Sequence, residues 1–167
     1  MLVTIIADAS YCPNYNVAGY GYWIVCDRGS DGGGGPLGKG KGNKVENSTV
    51  AEMMAIVKAL YKACQSNLVQ VQDVVLIQSD CVPALDAFTF KRLKLSEMEQ
   101  EIVSRLNQVT LQFSLTLRYK HVKGHTNIRQ ARYITNNLCD ERAKAEMKKL
   151  RKLAQEEARG RIYESNC

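Results

Sequence analysis

Four acidic residues stand close to predicted boundaries of strands and helices, and their side chains could act together. They are Asp8 after a first apolar strand, Glu52 in the first turn of a helix, Asp80 after a second apolar run, and Asp140 at the start of the last helix. In an α/β chain, residues at such positions tend to converge on one edge of the sheet. Four converging carboxylates repel one another unless hard divalent cations neutralise them, and Mg²⁺ prefers oxygen ligands. Two such ions about 3.5–4 Å apart can promote phosphodiester hydrolysis.

Each of these carboxylates also has a purely structural interpretation. Glu52 follows Thr49 by three residues and could complete a capping box, and Asp80 could be a plain helix N-cap. Asp8 could support a turn, and Asp140 could complement a helix dipole. The sequence pattern alone leaves both interpretations open for each residue.

Strands and helices alternate along the rest of the chain. Hydrophobic periodicity predicts a hairpin from residues 2–7 and 19–26, helices at 50–64 and 96–108, strands at 74–77 and 111–119, and a C-terminal helix from about 138. A further helix, started by Asp80 and Pro83, is expected directly after the strand at 74–77. Ser96 and Glu99 are spaced as a capping box at the start of the helix at 96–108. The apolar run at 74–77 is typical of a strand buried on both faces, which indicates an α/β fold with a partly parallel sheet.

Residues 28–43 are unusually rich in glycine. Because glycine loses the most conformational entropy on folding, we expect this segment to form a flexible loop rather than a packed strand. A weak third strand is expected only near residues 44–46.

Composition indicates an ordinary globular chain with a basic surface. At 167 residues, with 45% hydrophobic and 24% charged residues, the chain suits a single domain over 1–167. A formal charge of +6 favours a polyanionic partner such as nucleic acid. The six cysteines form no zinc-binding pattern and fit reduced thiols. We expect a cytoplasmic monomer with no membrane contact and no obligate protein partner, since neither a signal peptide nor a transmembrane run is evident.

Several short motifs together resemble type 1 ribonuclease H. In chain order they are IIADAS at 5–10, GYG at 19–21, AEMMA at 51–55, SD at 79–80, VKGH at 122–125 and NNLCDERA at 136–143. The first motifs are individually weak, whereas VKGH followed by NxxCDxxA is specific. They occur in the family's order and cover most of the chain.

The resemblance implies a ribonuclease H-like fold, with a five-stranded mixed sheet flanked by helices. It implies an endonuclease that hydrolyses the RNA strand of an RNA–DNA hybrid with two Mg²⁺ ions, for which Mn²⁺ could substitute. Asp8, Glu52, Asp80 and Asp140 would be the catalytic metal ligands, and His125 would assist proton transfer or product release.

The same resemblance suggests residues that contact the substrate. Asn14 and Asn136 match family positions near the nucleic acid, Ser48 and Thr49 replace the family's amides that read ribose 2′-hydroxyls, and Lys123 is a candidate phosphate contact. Ala9 stands where the family usually has glycine. The family's basic, tryptophan-rich handle is reduced here to the KRLK segment at 91–94.

Two other functions remain as alternatives. One is a related nuclease of the same superfamily, such as a junction resolvase or a DNA nuclease. The other is a hybrid-binding module that kept the fold and lost catalysis. The VKGH and NNLCD segments argue against the first, and the presence of all four carboxylates argues against the second.

Overall fold

The structure is a computed structural model that describes residues 1–38, 44–123 and 131–165, with the backbone alone described at 131–133 and 162–165. His125 lies outside the described residues. The elements, in chain order, are β1 (Leu2–Cys12), β2 (Val17–Cys26), β3 (Gly29–Leu37), α1 (Ser48–Gln65), β4 (Val74–Ser79), α2 (Val82–Phe88), α3 (Glu97–Gln112), β5 (Thr116–His121) and α4 (Ala131–Ser165).

The five strands form one mixed sheet in the order β3-β2-β1-β4-β5. β1, β2 and β3 pair antiparallel, whereas β4 is parallel to both β1 and β5. This confirms the predicted five-stranded mixed sheet, and the predicted hairpin is the β1–β2 pair.

Side-chain alternation divides β1 between two helical layers. Val3, Ile5 and Ala7 belong to the main apolar core, together with the buried residues of α1, α2 and α3. Ile6 and Asp8 point to the opposite face, where α4 packs across β1 and β2. The sheet is therefore covered on one face by three helices and over part of the other face by α4.

The glycine-rich segment is a strand, so the prediction of a flexible loop over residues 28–43 was wrong for residues 29–37. β3 pairs with β2 along its whole length, and the Tyr22 hydroxyl donates to Asp31 Oδ2 at 3.1 Å. A Cβ atom at Gly32 would lie 2.3 Å from the Trp23 ring. Glycine is needed there because an aromatic side chain of β2 lies across β3. The weak strand expected at 44–46 is only a single bridge between Lys44 and Val17.

Three further boundaries differ from prediction. β1 continues to Cys12, so Asp8 lies inside a strand rather than at its end. α3 continues to Gln112, so β5 begins five residues later than the strand predicted from residue 111. α4 begins at Ala131, not near 138, which places Asp140 well inside the helix. In each case tertiary packing extends an element beyond its local sequence signal.

Within the described ranges, no helix is both long enough and apolar enough to cross a membrane.

Candidate metal centre

Asp8 projects from β1 just beyond the point where its neighbour β4 ends. Ile6 is the last β1 residue that pairs with β4, while Asp8 itself pairs with Gly21 of β2. The Asp8 backbone is therefore paired with β2 on one side and has no pairing with β4 on the other. The carboxylate is 4% exposed, and its Oδ1 accepts a hydrogen bond from the backbone N–H of Ala9 at 2.8 Å.

Asp80 follows the last residue of β4 directly and is half-buried. The N-cap of α2 is Cys81, whose backbone N–H donates to Ser79 Oγ at 3.1 Å. Asp80 is therefore not the N-cap of α2. The interpretation of Asp80 as a helix N-cap is therefore excluded. The residue lies at the carboxyl edge of the sheet, directly after β4.

Glu52 lies in the second turn of α1, not in the first turn as predicted. The N-cap is Asn47, whose Oδ1 accepts from the backbone N–H of Val50 at 2.9 Å. The capping box between Thr49 and Glu52 does not form, because the helix begins earlier than its apolar pattern. The Oε2 atom of Glu52 is buried and has no hydrogen-bond donor among the residues that the structure describes.

These three carboxylates, here called the acidic triad, meet at one point. An oxygen from each of Asp8, Glu52 and Asp80 lies within 4.8 Å of the other two. Burial, followed by the charge of Asp80, raises the pKa of Asp8 from 3.8 to about 7. Burial and the charges of Asp8 and Asp80 raise the pKa of Glu52 well above its usual range. These carboxylates repel one another, and Glu52 Oε2 has no donor among the described residues. Such a cluster fits a divalent cation as the missing partner.

Asp140 lies close to the acidic triad without belonging to it. Its charge contributes to the raised pKa of Asp8, which places it in the same electrostatic environment. Its Oδ2 accepts a hydrogen bond from Lys144 Nζ, one turn further along α4, at 2.6 Å. This contact raises the pKa of Lys144. The i,i+4 spacing of Asp140 and Lys144 is a local helix signal for this ion pair, which the sequence analysis did not use.

Two buried amides accompany this site. Asn136 lies one turn before Asp140 on α4 and is 1% exposed, while Gln78 lies two residues before Asp80 on β4 and is 7% exposed. The side-chain oxygen of each has no hydrogen-bond donor in the described part of the chain. Gln78 was not predicted from the sequence. Its position two residues before Asp80 was a usable signal, because residues two apart in an extended chain lie on the same face.

The remaining candidates lie outside the acidic triad. Asn14 is exposed in the turn between β1 and β2, Ser48 and Thr49 begin α1, and Lys123 is exposed shortly after β5. Asn136 is buried, so it is placed differently from these surface residues. His125 falls outside the described residues.

Comparisons with known proteins agree with this architecture. The RNase H family model matches residues 2–148. No curated protein matched the sequence significantly. The N-terminal RNase H domain of a Mycobacterium tuberculosis protein is 18% identical with a TM-score of 0.68, over 92% of this chain and 98% of that one.

Two further solved structures are similar. RNase H1 from the archaeon Halobacterium salinarum is 18% identical with a TM-score of 0.68, over 89% of this chain and 99% of its own. LC11-RNase H1, solved in complex with an RNA/DNA hybrid, is 16% identical with a TM-score of 0.66, over 88% and 97% of the two chains. At these identities the structures support the fold.

The family model covers most of the chain, and the sequence resemblance, the mixed sheet and the acidic triad agree with it. The chain belongs to the RNase H family and is a ribonuclease H.

Proposed function

We propose that this ribonuclease H hydrolyses the RNA strand of RNA–DNA hybrids, with Asp8, Glu52, Asp80 and Asp140 as ligands of two divalent cations. The observation that carries the proposal is the acidic triad, whose three oxygens come from three separate elements and lie within 4.8 Å of one another. Such a cluster is costly without a cation, because buried like charges are desolvated and repel each other.

The residues present fit Mg²⁺ or Mn²⁺, which are hard ions with oxygen ligands. When bound, such ions would lower the pKa of a water molecule and stabilise negative charge on the phosphate. Asp8 is held by the sheet and by the Ala9 N–H, so its carboxylate is preorganised. Glu52 supplies a buried oxygen that needs a partner. Lys144 holds Asp140 one helical turn away.

The hybrid is proposed as substrate on two grounds. A formal charge of +6 favours a polyanion, and exposed cations of β5 and the residues after it, Arg118, Lys120 and Lys123, lie near the edge of the sheet that carries Asp80. The solved complex of LC11-RNase H1 with an RNA/DNA hybrid shows that a protein of this fold binds that ligand. Ser48 and Thr49, at the start of the helix that carries Glu52, are proposed to hydrogen-bond ribose 2′-hydroxyls.

Asn14 and Asn136 are the remaining proposed contacts near the nucleic acid, and Lys123 is the proposed phosphate contact. The exposed position of Asn14 is compatible with direct contact, whereas the burial of Asn136 favours an indirect effect through its position one turn before Asp140.

His125 is proposed to assist protonation of the leaving oxygen or release of the product. Replacement by alanine is expected to reduce turnover by ~10²-fold or less, the low end of the ~10²–10⁴-fold that general acid–base assistance typically contributes. Hybrid affinity should stay nearly unchanged. Steady-state kinetics with a parallel binding titration would check this, and a large loss of affinity with normal turnover would make His125 a binding residue instead.

One substrate panel tests the proposed activity. Labelled RNA–DNA hybrid, double-stranded RNA, double-stranded DNA and a four-way DNA junction are offered side by side with Mg²⁺, Mn²⁺ or EDTA. We expect cleavage of the RNA strand of the hybrid alone, and none in EDTA. Preferential cleavage of the junction would indicate a resolvase, and undiminished hybrid cleavage in excess chelator would exclude the proposed metal dependence.

A further inference from the structure

A cavity lies between α1 and α3, and no residue of the acidic triad lines it. It measures about 460 Å³, within the range of small-molecule sites, which is about 300–1,000 Å³. Its α1 residues run along one stripe of the helix from Met54 through Lys58 to Gln65. Glu52 lies on a different face of α1, since two residues along a helix turn by about 200°. None of the proposed metal ligands lines this cavity.

The cavity is rimmed mainly by cations. Lys44, Lys58, Lys62 and Arg105 line it, against a single acidic residue, Glu101. Glu101 Oε1 already accepts a hydrogen bond from Arg105 at 2.7 Å. In the described part of the chain, none of the three lysines forms an ion pair with a carboxylate. The rim therefore carries excess positive charge that an anionic ligand would complement.

The wall of the cavity is apolar and aromatic. Met54, Val57, Met98 and Ile102 contribute to it, and Tyr20 and Tyr61 add two aromatic rings. Lys58 Nζ lies 5.9 Å from the centroid of the Tyr20 ring. Methionine sulfur atoms and tyrosine rings both make favourable contacts with an aromatic group. A bare inorganic anion would use the lysines and leave this wall uncovered.

We propose that this cavity binds a nucleoside phosphate, with the base against the methionine and tyrosine wall and the phosphate among the lysines. Lys58 and Lys62 are one turn apart on α1, so both ammonium groups can approach one phosphate. The required chemistry is an aromatic ring that carries a phosphate, which either a free nucleotide or the 5′-phosphorylated end of a strand would supply. The site goes beyond the proposed nuclease function, and neither inference depends on the other.

Calorimetric titration tests the site, with adenosine monophosphate, adenosine and inorganic phosphate as probes. EDTA is present throughout, so that cation-mediated binding at the acidic triad does not contribute. We expect the nucleotide to bind at least about tenfold more tightly than adenosine or phosphate, which corresponds to one additional favourable contact. No binding at millimolar nucleotide, or equal affinity for nucleotide and phosphate, would overturn the proposal.

Two lysine variants and a matched control locate the binding. Lys58→Gln and Lys62→Gln are each expected to weaken nucleotide binding by about tenfold, whereas Lys152→Gln, an exposed lysine of α4 outside the cavity, should not. Thermal unfolding verifies that all three variants are folded. Unchanged affinity in both cavity variants would overturn the assignment.

Amide chemical shifts locate the bound nucleotide independently of the variants. Nucleotide is expected to shift signals from the second half of α1 and the first half of α3; shifts confined to Asp8, Asp80 and their neighbours would overturn the proposal.

A dinucleotide with a 5′-phosphate distinguishes the two sources of the ligand. If it binds as well as the mononucleotide, the result supports a strand end as the source. Failure of the dinucleotide to bind supports a free nucleotide.

Discussion

At the scale of single residues, the acidic triad is defined by burial as much as by charge. An exposed aspartate ordinarily ionises near pH 4, whereas burial and the neighbouring Asp80 raise the pKa of Asp8 to about 7. The same surroundings raise the pKa of Glu52.

Asp80→Asn separates catalysis from folding. Because Asp80 is not the N-cap of α2, the substitution removes a charge without removing a structural hydrogen bond of the cap. We expect hydrolysis of the hybrid to fall by at least ~10³-fold, since metal ligation contributes several kcal/mol to transition-state stabilisation. Hybrid affinity should persist or increase, because one negative charge near the phosphates is lost.

The measurement for Asp80→Asn combines single-turnover cleavage with thermal unfolding and hybrid titration. Asp27→Asn is a suitable control, because Asp27 is an exposed carboxylate in the turn between β2 and β3. A folded Asp80→Asn protein that cleaves at the parental rate would remove Asp80 from the active site. A folded parent protein that binds hybrid and never cleaves it would instead indicate a binding module.

The pKa of Asp8 predicts how the stability of the metal-free protein depends on pH. The folded state binds this proton more tightly than the unfolded state, because the pKa is about 7 in the fold against an ordinary 3.8. The free energy of unfolding should therefore decrease from about pH 4 to pH 7 as the buried carboxyl ionises. Asp8→Asn removes this penalty, so its melting temperature in EDTA should exceed that of the parent by ~5 °C at pH 8.

Thermal unfolding of both proteins at pH 4 and pH 8 checks this prediction. At pH 4 the two melting temperatures should nearly coincide, because Asp8 is then protonated in the folded parent. Asp27→Asn should show no such gain at pH 8. An Asp8→Asn protein that is destabilised at pH 8 would contradict the assigned direction.

At the scale of elements, close packing of α4 on β2 positions the last part of the site. A Cβ atom at Gly21 would lie 2.2 Å from the carbonyl oxygen of Cys139. Cys139 is buried, and its Sγ lies 3.7 Å from the carbonyl oxygen of Ile6. At this point α4 comes as close to β2 as it does because Gly21 has no side chain. The same helix carries Asp140, whose charge acts on Asp8.

Gly21→Ala should therefore damage stability and activity together. The added methyl must displace the α4 backbone, and overpacking of this kind typically costs about 1–3 kcal/mol. We expect a loss near the upper end of that range, accompanied by reduced cleavage because Asp140 moves. Urea unfolding and single-turnover kinetics check both effects.

Gly33→Ala in the neighbouring strand is the matched control. Its added Cβ would lie 3.2 Å from the Tyr22 hydroxyl oxygen, the far end of a side chain, so only a small loss of stability is expected. If the two variants lost equal stability, the close approach of α4 would not be what makes Gly21 necessary.

At the scale of the whole molecule, a chain with a net positive charge carries a negatively charged site. The chain carries a formal charge of +6, while the carboxylates of the acidic triad converge at the carboxyl edge of β4. Cations on the surface can hold a duplex through its phosphates, and this contribution is insensitive to base sequence. The acidic site can then act on the strand that the surface positions.

Lys123→Ala tests one of these surface contacts. If Lys123 contacts one phosphate, the plot of log binding constant against log salt concentration should lose about one unit of slope. Hybrids of different sequence should be weakened alike. Fluorescence anisotropy over a salt series measures the slope, with Lys152→Ala, an exposed lysine of α4, as the comparison. An unchanged slope for Lys123→Ala would exclude a phosphate contact.

Local patterns were enough for much of the architecture and for the identity of the acidic residues. Apolar periodicity predicted α1 and α3, an apolar run predicted β4, and the spacing of Ser96 and Glu99 predicted the capping box that the structure contains. These features depend on neighbours within a few residues. The convergence of Asp8, Glu52 and Asp80 followed from the general rule for the edges of α/β sheets.

Other features depend on contacts between residues far apart in the chain. β3 is a strand because its partner β2 supplies the backbone pairing and the aromatic cover, which glycine-rich residues cannot signal locally. α4 begins at Ala131 although residues 131–137 include β-branched residues and asparagines with low helix propensity. The burial of Gln78 and Asn136 was likewise decided by packing. Tertiary contacts outweigh propensity at these places because burial and backbone pairing contribute more free energy than the local preferences that oppose them.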